Sequence, residues 1–387
     1  MTSSDPELAS IAVRMLPELA SRSGMELHGP VRVERRSRMD LERYLEFKIE
    51  EEFPDRRAEL LSEVYGLLGL VPMDMDFRAT LKDLYLEQIA GFYDPDSTTL
   101  FVLDDQPDEA IESLLAHELV HAIQDQNTDL HAITDPALSN DRRVAAQAAI
   151  EGHATLVMFE FMMQQGSGVL DVADLPDFSA SLGPALEAAK TNSPALAGAP
   201  LVLQESVLFP YRGGVKFVET LWRERGGRLP PFGTDLPGST EEILHPEDFA
   251  RGEREPHLRI DLSVEEGWRR LHEDTLGELE LGILLETVGG SRASASGWAG
   301  DRYVLLEAED EDGDGAGAAA ATGDRSLVWF AVWDTEEQRD RFVRELETRL
   351  SAFPRPATLT ALDIEGFPAT QLSLGDVPRA TVALGIH

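Results

Sequence analysis

Residues 108–126 read DEAIESLLAHELVHAIQDQ, and this stretch decides the fold. Pro107 suits a first helical position, and Asp108, Glu109 and Glu112 load the first turns with the negative charge that a helix dipole favours. Helical spacing then holds to about Gln126. Within this predicted helix His117, Glu118 and His121 form HExxH. A spacing of four puts both imidazoles on one face, where their nitrogens converge on one Zn2+ at roughly 2.0–2.1 Å. Glu118 is offset around the helix and reaches a water on the ion rather than the ion itself. Zinc lowers the pKa of that water towards ~7, so a carboxylate takes its proton as a carbonyl carbon is attacked.

A catalytic zinc needs a third protein ligand and one open position. The next predicted helix, capped by Asn140 or Asp141, runs through RRVAAQAAIEGHATLVMFEFMM to about Gln164. Glu151 lies there on the face marked by Val144, Ala148, Ala154, Thr155 and Met158, where an unpaired carboxylate is costly. It is the expected third ligand, and small Gly152 and Ala154 beside it would let the two helices approach closely. Two other readings stand at this stage: Glu151 paired with Arg142 or Arg143, and His153 as ligand in its place. Gln124 and Asp125 are candidates to orient the imidazoles from behind.

Upstream, GFYDPDSTTLFVLD (91–104) places a turn before a β-prone run, Thr98 to Leu103, read as one strand. It is expected to be an edge strand beside the HExxH helix, free to pair with an extended peptide. Acyl transfer also needs a donor for the oxyanion. Tyr211, Tyr93 and His245 are the candidates, each in a loop-like segment flanked by Gly or Pro.

HELVHAIQDQ (117–126), EGHAT (151–155) and EQIAGFYDPDSTTLFVL (87–103) together resemble a family of zincin-like HExxH metallopeptidases. The likeness continues through FPYRGGVKFV, PGSTEEILHPEDF and ASGWAGDRYVL, covering most of residues 35 to 345. The resemblance implies a metallopeptidase fold whose third ligand is the Glu of an EGxA motif, here Glu151. Where a second Glu is expected in EGEA, this chain has His153. The implied cofactor is zinc and the implied partner a peptide or protein substrate. The same ligand set would also serve a zinc-stabilised, catalytically silent protein, or a hydrolase of a non-peptide amide.

The remaining sequence bounds this reading. With 71 acidic against 34 basic residues the net charge is −37, which repels phosphate backbones and argues against nucleic acid. Such a surface is less self-repelling when salt screens it, so a salt-adapted source is expected. The chain has no Cys, leaving His and carboxylates as zinc ligands. No apolar run approaches the roughly 20 residues of a membrane span. The N-terminus reads as an amphipathic helix rather than an export signal, so cytoplasmic residence is the default, with secretion open if a signal was removed.

An α+β fold is expected in three parts. Residues 1–165 form a mainly helical catalytic core with a small sheet, 166–262 an extension completing the cleft, and 263–387 a C-terminal α+β portion. Within the extension, 165–205 reads as loose connections around a short helix, Tyr211–Arg225 as a helix, and 226–262 as a long ordered loop. Towards the end, DRYVLLEAE and RSLVWFAVW read as paired strands with a capped helix after them. Between these strands Asp310, Asp312 and Asp314 resemble a calcium loop, but position twelve would be Ala321 rather than a bidentate Glu. His245 and His257 form no second metal pair by spacing.

Overall fold

The helical spacing of the first ninety residues is realised as four helices: α1 (Pro6–Ser23), α2 (Arg38–Glu52), α3 (Asp55–Leu67) and α4 (Phe77–Gln88). The computed structural model describes residues 3–167, 177–253, 257–309 and 325–386. Asp5 caps α1 by accepting from the N–H groups of Glu7 and Leu8, and Gly24 ends it at φ +68°. Ser37 and Asp40 open α2 with a reciprocal capping box. Strand β1 (Arg32–Arg36) lies between α1 and α2; β2 (Gly91–Asp94), β3 (Thr99–Leu103), α5 (Asp108–Asn127), α6 (Leu130–Ile133) and α7 (Asn140–Ser167) follow.

Strand β3 is not an edge. It pairs in parallel with β1 and antiparallel with β2, and all five of its residues are buried. The run TLFVL explains the correction, because it does not alternate apolar with polar. Such a strand is covered on both faces and tends to sit inside a sheet. The open edge beside α5 therefore falls to β2.

The segment expected to be loose is largely helical where it is described. It forms α8 (Phe178–Ser181), α9 (Gly183–Asn192) and α10 (Pro194–Gly198), then α11 (Leu201–Arg225), which starts well before Tyr211 and passes through Pro210. A proline inside a helix removes one hydrogen bond and crowds the preceding turn. Burial of Val202, Leu203, Leu208, Phe209, Phe217, Val218, Leu221 and Trp222 outweighs that cost here. The supposed loop over 226–262 also holds regular elements. Ser239 caps α12 (Thr240–Leu244), Pro246 starts α13 (Pro246–Arg251), and β4 (Leu258–Val264) closes the stretch.

The C-terminal portion contains β5 (Trp268–Asp274), α14 (Gly277–Thr287), β6 (Trp298–Ala308), β7 (Arg325–Trp333), α15 (Glu336–Glu347), β8 (Ala357–Ile364), β9 (Phe367–Leu374) and β10 (Ala380–Ile386). Five strands form an antiparallel sheet in the order β5-β6-β7-β9-β8, while β4 and β10 pair with each other. The two strands expected from sequence are β6 and β7, with Tyr303 opposite Trp329. The segment joining them, including the calcium-like Asp310, Asp312 and Asp314, lies outside the described residues. Helix α15, capped by Thr335, packs Phe342 against Trp329 and Trp333. Asp301 ties sheet to helix by accepting from the Leu276 and Gly277 N–H groups and from both indoles, Trp298 and Trp329.

The whole is a mixed α+β structure. One hydrophobic core runs from Leu8 in α1 to Leu374 in β9, with a second, smaller cluster that includes Leu258, Ile260, Val304 and Phe330. No described helix is long and apolar enough to cross a membrane.

Candidate metal centre

The site is assembled where α5 meets α7. His117 and His121 turn their Nε2 atoms towards each other at 3.1 Å. Glu151 Oε2 stands 3.1 Å from the first and 3.5 Å from the second. Among the described residues these three form the one group of His, Cys, Asp or Glu side chains placed to hold a metal ion. Two donors at 2.0–2.1 Å from one tetrahedral ion stand roughly 3.3–3.4 Å apart, so the three separations fit a zinc-sized ion. Arg143 reaches Glu52 instead of Glu151, which removes the simple ion-pair reading for that arginine.

Two close helix contacts hold Glu151 in place. Leu115, Ala116, Leu119, Val120 and Ile123 anchor α5 in the core, leaving the His117 and His121 face towards α7. On the far side of α7, Gly152 lies against Gly214 of α11, where a Cβ on either glycine would overlap backbone. Gly152 is thus the contact with α11, not with the HExxH helix as its size had suggested.

That crossing also brings Tyr211 to the site. It lies within α11, its ring centroid 6.3 Å from that of His117 and its hydroxyl within the field of the Glu151 carboxylate. The Glu151 and Glu118 carboxylates, together with burial, hold the Tyr211 phenol well above its ordinary range, so it keeps its proton. Tyr93 sits on β2, where its hydroxyl donates to Asp125 at 2.8 Å and its main-chain N–H helps to draw the Glu118 carboxyl down. The Tyr93 side chain is therefore committed to the end of α5, and its main chain is what meets the site. Asp125 serves Tyr93 and not an imidazole.

His245 does not belong to the site. Its Nε2 lies 2.9 Å from Glu278, in a cavity of about 270 Å³ lined also by Glu241, His257 and Asp334. Its loop-like setting was real, since it falls between α12 and α13. Proximity to His117 and His121 could not be read from that setting.

The charges are mutually arranged. Burial pushes the Glu118 carboxyl upward, while the His117 and His121 imidazoles draw it back down. Burial disfavours a charged His121, but the Glu151 carboxylate more than offsets this and raises it to about 9. Burial also works against a charged Glu151, which the two imidazoles nonetheless hold well below the ordinary carboxylate range. The carboxylate and the imidazoles thus stabilise one another's charged forms inside a buried site.

Behind the imidazoles, Gln124 accepts from His121 Nδ1 at 2.8 Å and donates to Ile150 O and to His153 Nδ1, both at 3.0 Å. His153 is fully buried and donates through Nε2 to Ser23 O at 3.0 Å. It faces away from the triad and is not a ligand. Ser23 was missed from sequence because a main-chain carbonyl at the end of α1 leaves no compositional signal.

Residues 265–368 match a family model described as Domain of unknown function (DUF8575). The matched segment covers β5 to the start of β9 and excludes His117, His121 and Glu151. No curated protein and no solved structure matches the chain.

Proposed function

We propose that the protein is a zinc-dependent metallopeptidase with a zincin-like core, its ion held by His117, His121 and Glu151. The observation that carries the reading is the convergence of those three donors next to a buried glutamate that is not one of them. A bound zinc ion supplies Lewis acidity, acidifying a water and polarising a carbonyl. Glu118, 7% exposed and next to His117, takes the water's proton and passes it to the departing amine. Burial raises its carboxyl above the ordinary value and so makes it a stronger proton acceptor than an exposed carboxylate. Tyr211 keeps its proton and stands beside the ligands, so it donates to the developing oxyanion.

The β2 edge supports a peptide over a compact substrate. Phe92 faces Phe101 and Tyr93 faces Leu100 across the β2–β3 ladder, and Leu103 N donates to Ala90 O, so the Tyr93 main chain points away from β3. An extended peptide laid along that edge would pass Glu118.

The test is zinc content of the full chain by elemental analysis, beside His117→Ala and Glu151→Ala, with peptide-library cleavage at high salt. One zinc per chain, lost in both variants, and cleavage abolished by Glu118→Gln with zinc retained are expected. Failure of the reconstituted wild type to bind zinc would sink the centre. Bound zinc with no cleavage of any peptide would leave a silent zinc protein or a hydrolase of another amide.

A further inference from the structure

We propose that His153 and Gln124 are positioning residues that fix the tautomer of His121, with the direction of the whole relay set by the main-chain carbonyl of Ser23. The inference rests on the metal reading above, since its purpose is to aim His121 Nε2 at an ion.

Each link allows only one polarity. Ser23 O is an acceptor only, so the His153 atom 3.0 Å from it must be N–H. Ile150 O is an acceptor only as well, so the Gln124 atom beside it carries protons, and His153 Nδ1, which faces that same atom, is a bare acceptor. The Gln124 atom facing Nδ1 must then be the amide nitrogen. Its second proton goes to Ile150 O, another acceptor-only group. A flipped amide would set oxygen against a carbonyl oxygen and a bare ring nitrogen at about 3 Å, leaving all of them unsatisfied in a buried place. The remaining Gln124 atom is therefore the oxygen, and it accepts from His121 Nδ1–H. Nε2 is the His121 atom left to face His117 and Glu151, and with an ion bound its lone pair would be the one that holds it.

This relay gives His153 a task that neither a ligand nor a core filler would have. Trp222 and Phe232 close around its ring edge-on, at 6.1 and 6.0 Å between centroids, so the ring cannot turn over easily. It also makes the end of α1, remote in sequence, part of the metal centre. Partners behind metal-binding imidazoles of this kind are worth about 10–100-fold in metal affinity.

The experiment uses the full chain and zinc alone. Zinc affinity is measured by competition with a chelator for the wild type, His153→Leu, His153→Gln and Gln124→Met. Ring protonation is read from long-range proton–nitrogen correlation spectra of the zinc-loaded wild type. Expected are a proton on Nδ1 of His121 and on Nε2 of His153, zinc affinity about 10-fold lower in His153→Leu and up to about 100-fold lower in Gln124→Met. His153→Gln, which retains a donor and an acceptor, should recover most of the affinity. Gln124→Met keeps side-chain length without polar ends, so it carries the test if the leucine variant does not fold. Wild-type zinc binding matched by folded His153→Leu and Gln124→Met, or a proton on His153 Nδ1, would overturn the relay alone. A wild type that binds no zinc would overturn the metal reading and this inference with it.

Discussion

Gly152 of α7 and Gly214 of α11 meet backbone to backbone, and that contact sets Tyr211, one turn before Gly214, beside Glu151, the neighbour of Gly152. By propensity alone, alanine in either helix would stabilise by about 1 kcal/mol. The crossing reverses that sign. A Cβ at Gly152 overlaps the Gly214 carbonyl, so Gly152→Ala should destabilise by about 1–3 kcal/mol and weaken zinc binding as α11 is pushed away. Denaturant midpoints beside chelator competition measure both effects, and a stabilised Gly152→Ala would show that the helices are not pressed together.

Tyr211→Phe removes one hydroxyl and little else. If that hydroxyl meets the oxyanion, kcat should fall about 100- to 1,000-fold with zinc affinity and KM nearly unchanged. Steady-state kinetics on a cleaved library peptide decide the matter. An unchanged kcat would leave the tyrosine as a mere partner of Glu151.

Stability should decline with rising pH across neutrality. Glu280 is buried, accepts from the Tyr65 hydroxyl at 2.7 Å and the Asn140 amide at 2.8 Å through Oε1, and has no partner on Oε2. Burial raises its carboxyl to about 8 from the ordinary 4.5, against the pull of those two hydrogen bonds. Between those limits the folded chain holds a proton that the unfolded chain has released. The associated stability is fully present below about 4.5, falls by up to ~1.4 kcal/mol per pH unit, and is gone above about 8. Burial likewise raises Asp141 to about 7 and Glu241 to about 9, acting in the same sense. Urea midpoints should therefore be higher at pH 6 than at pH 8.5, and Glu280→Gln should flatten the slope. A profile equally steep in that variant would remove Glu280 as its source.

Salt should stabilise the fold. At −37 the surface repels itself, and its few cations are shared: Lys82 lies between Glu42 and Glu46, and Lys48 between Glu51 and Asp96. Screening relieves the repulsion more than it weakens these exposed pairs. Raising KCl from 0.1 to 2 M should lift the melting temperature by roughly 2 °C, equivalent to about 1–2 kcal/mol for a chain of this length. A falling melting temperature would mean that the pairs outweigh the repulsion.

Much of this was legible in the residues because the informative signals are local. The charge and proline at the start of α5, the fixed spacing of His117 and His121, and an acidic residue on the inward face of α7 need only helical geometry. What failed was long-range. The paired state of β3 depends on β1, remote in sequence, although its unbroken apolar run did hint at an interior strand. Helix α11 runs through Pro210 because packing exceeds the local penalty, so Tyr211, read as the first residue of a helix, stands in the middle of one. His245 shares its local appearance with a site residue, and only the tertiary fold carries it to Glu278.

The three candidate ligands come from two helices, with His121 and Glu151 thirty positions apart, and neither helix carries all three. A bound ion would then work as a removable cross-link closing that loop, with an entropic effect on the order of 3–4 kcal/mol by analogy with a covalent bridge. Loss of such an ion would release the clasp between α5 and α7, so the helix pair itself would open more readily in metal-free chains than in loaded ones.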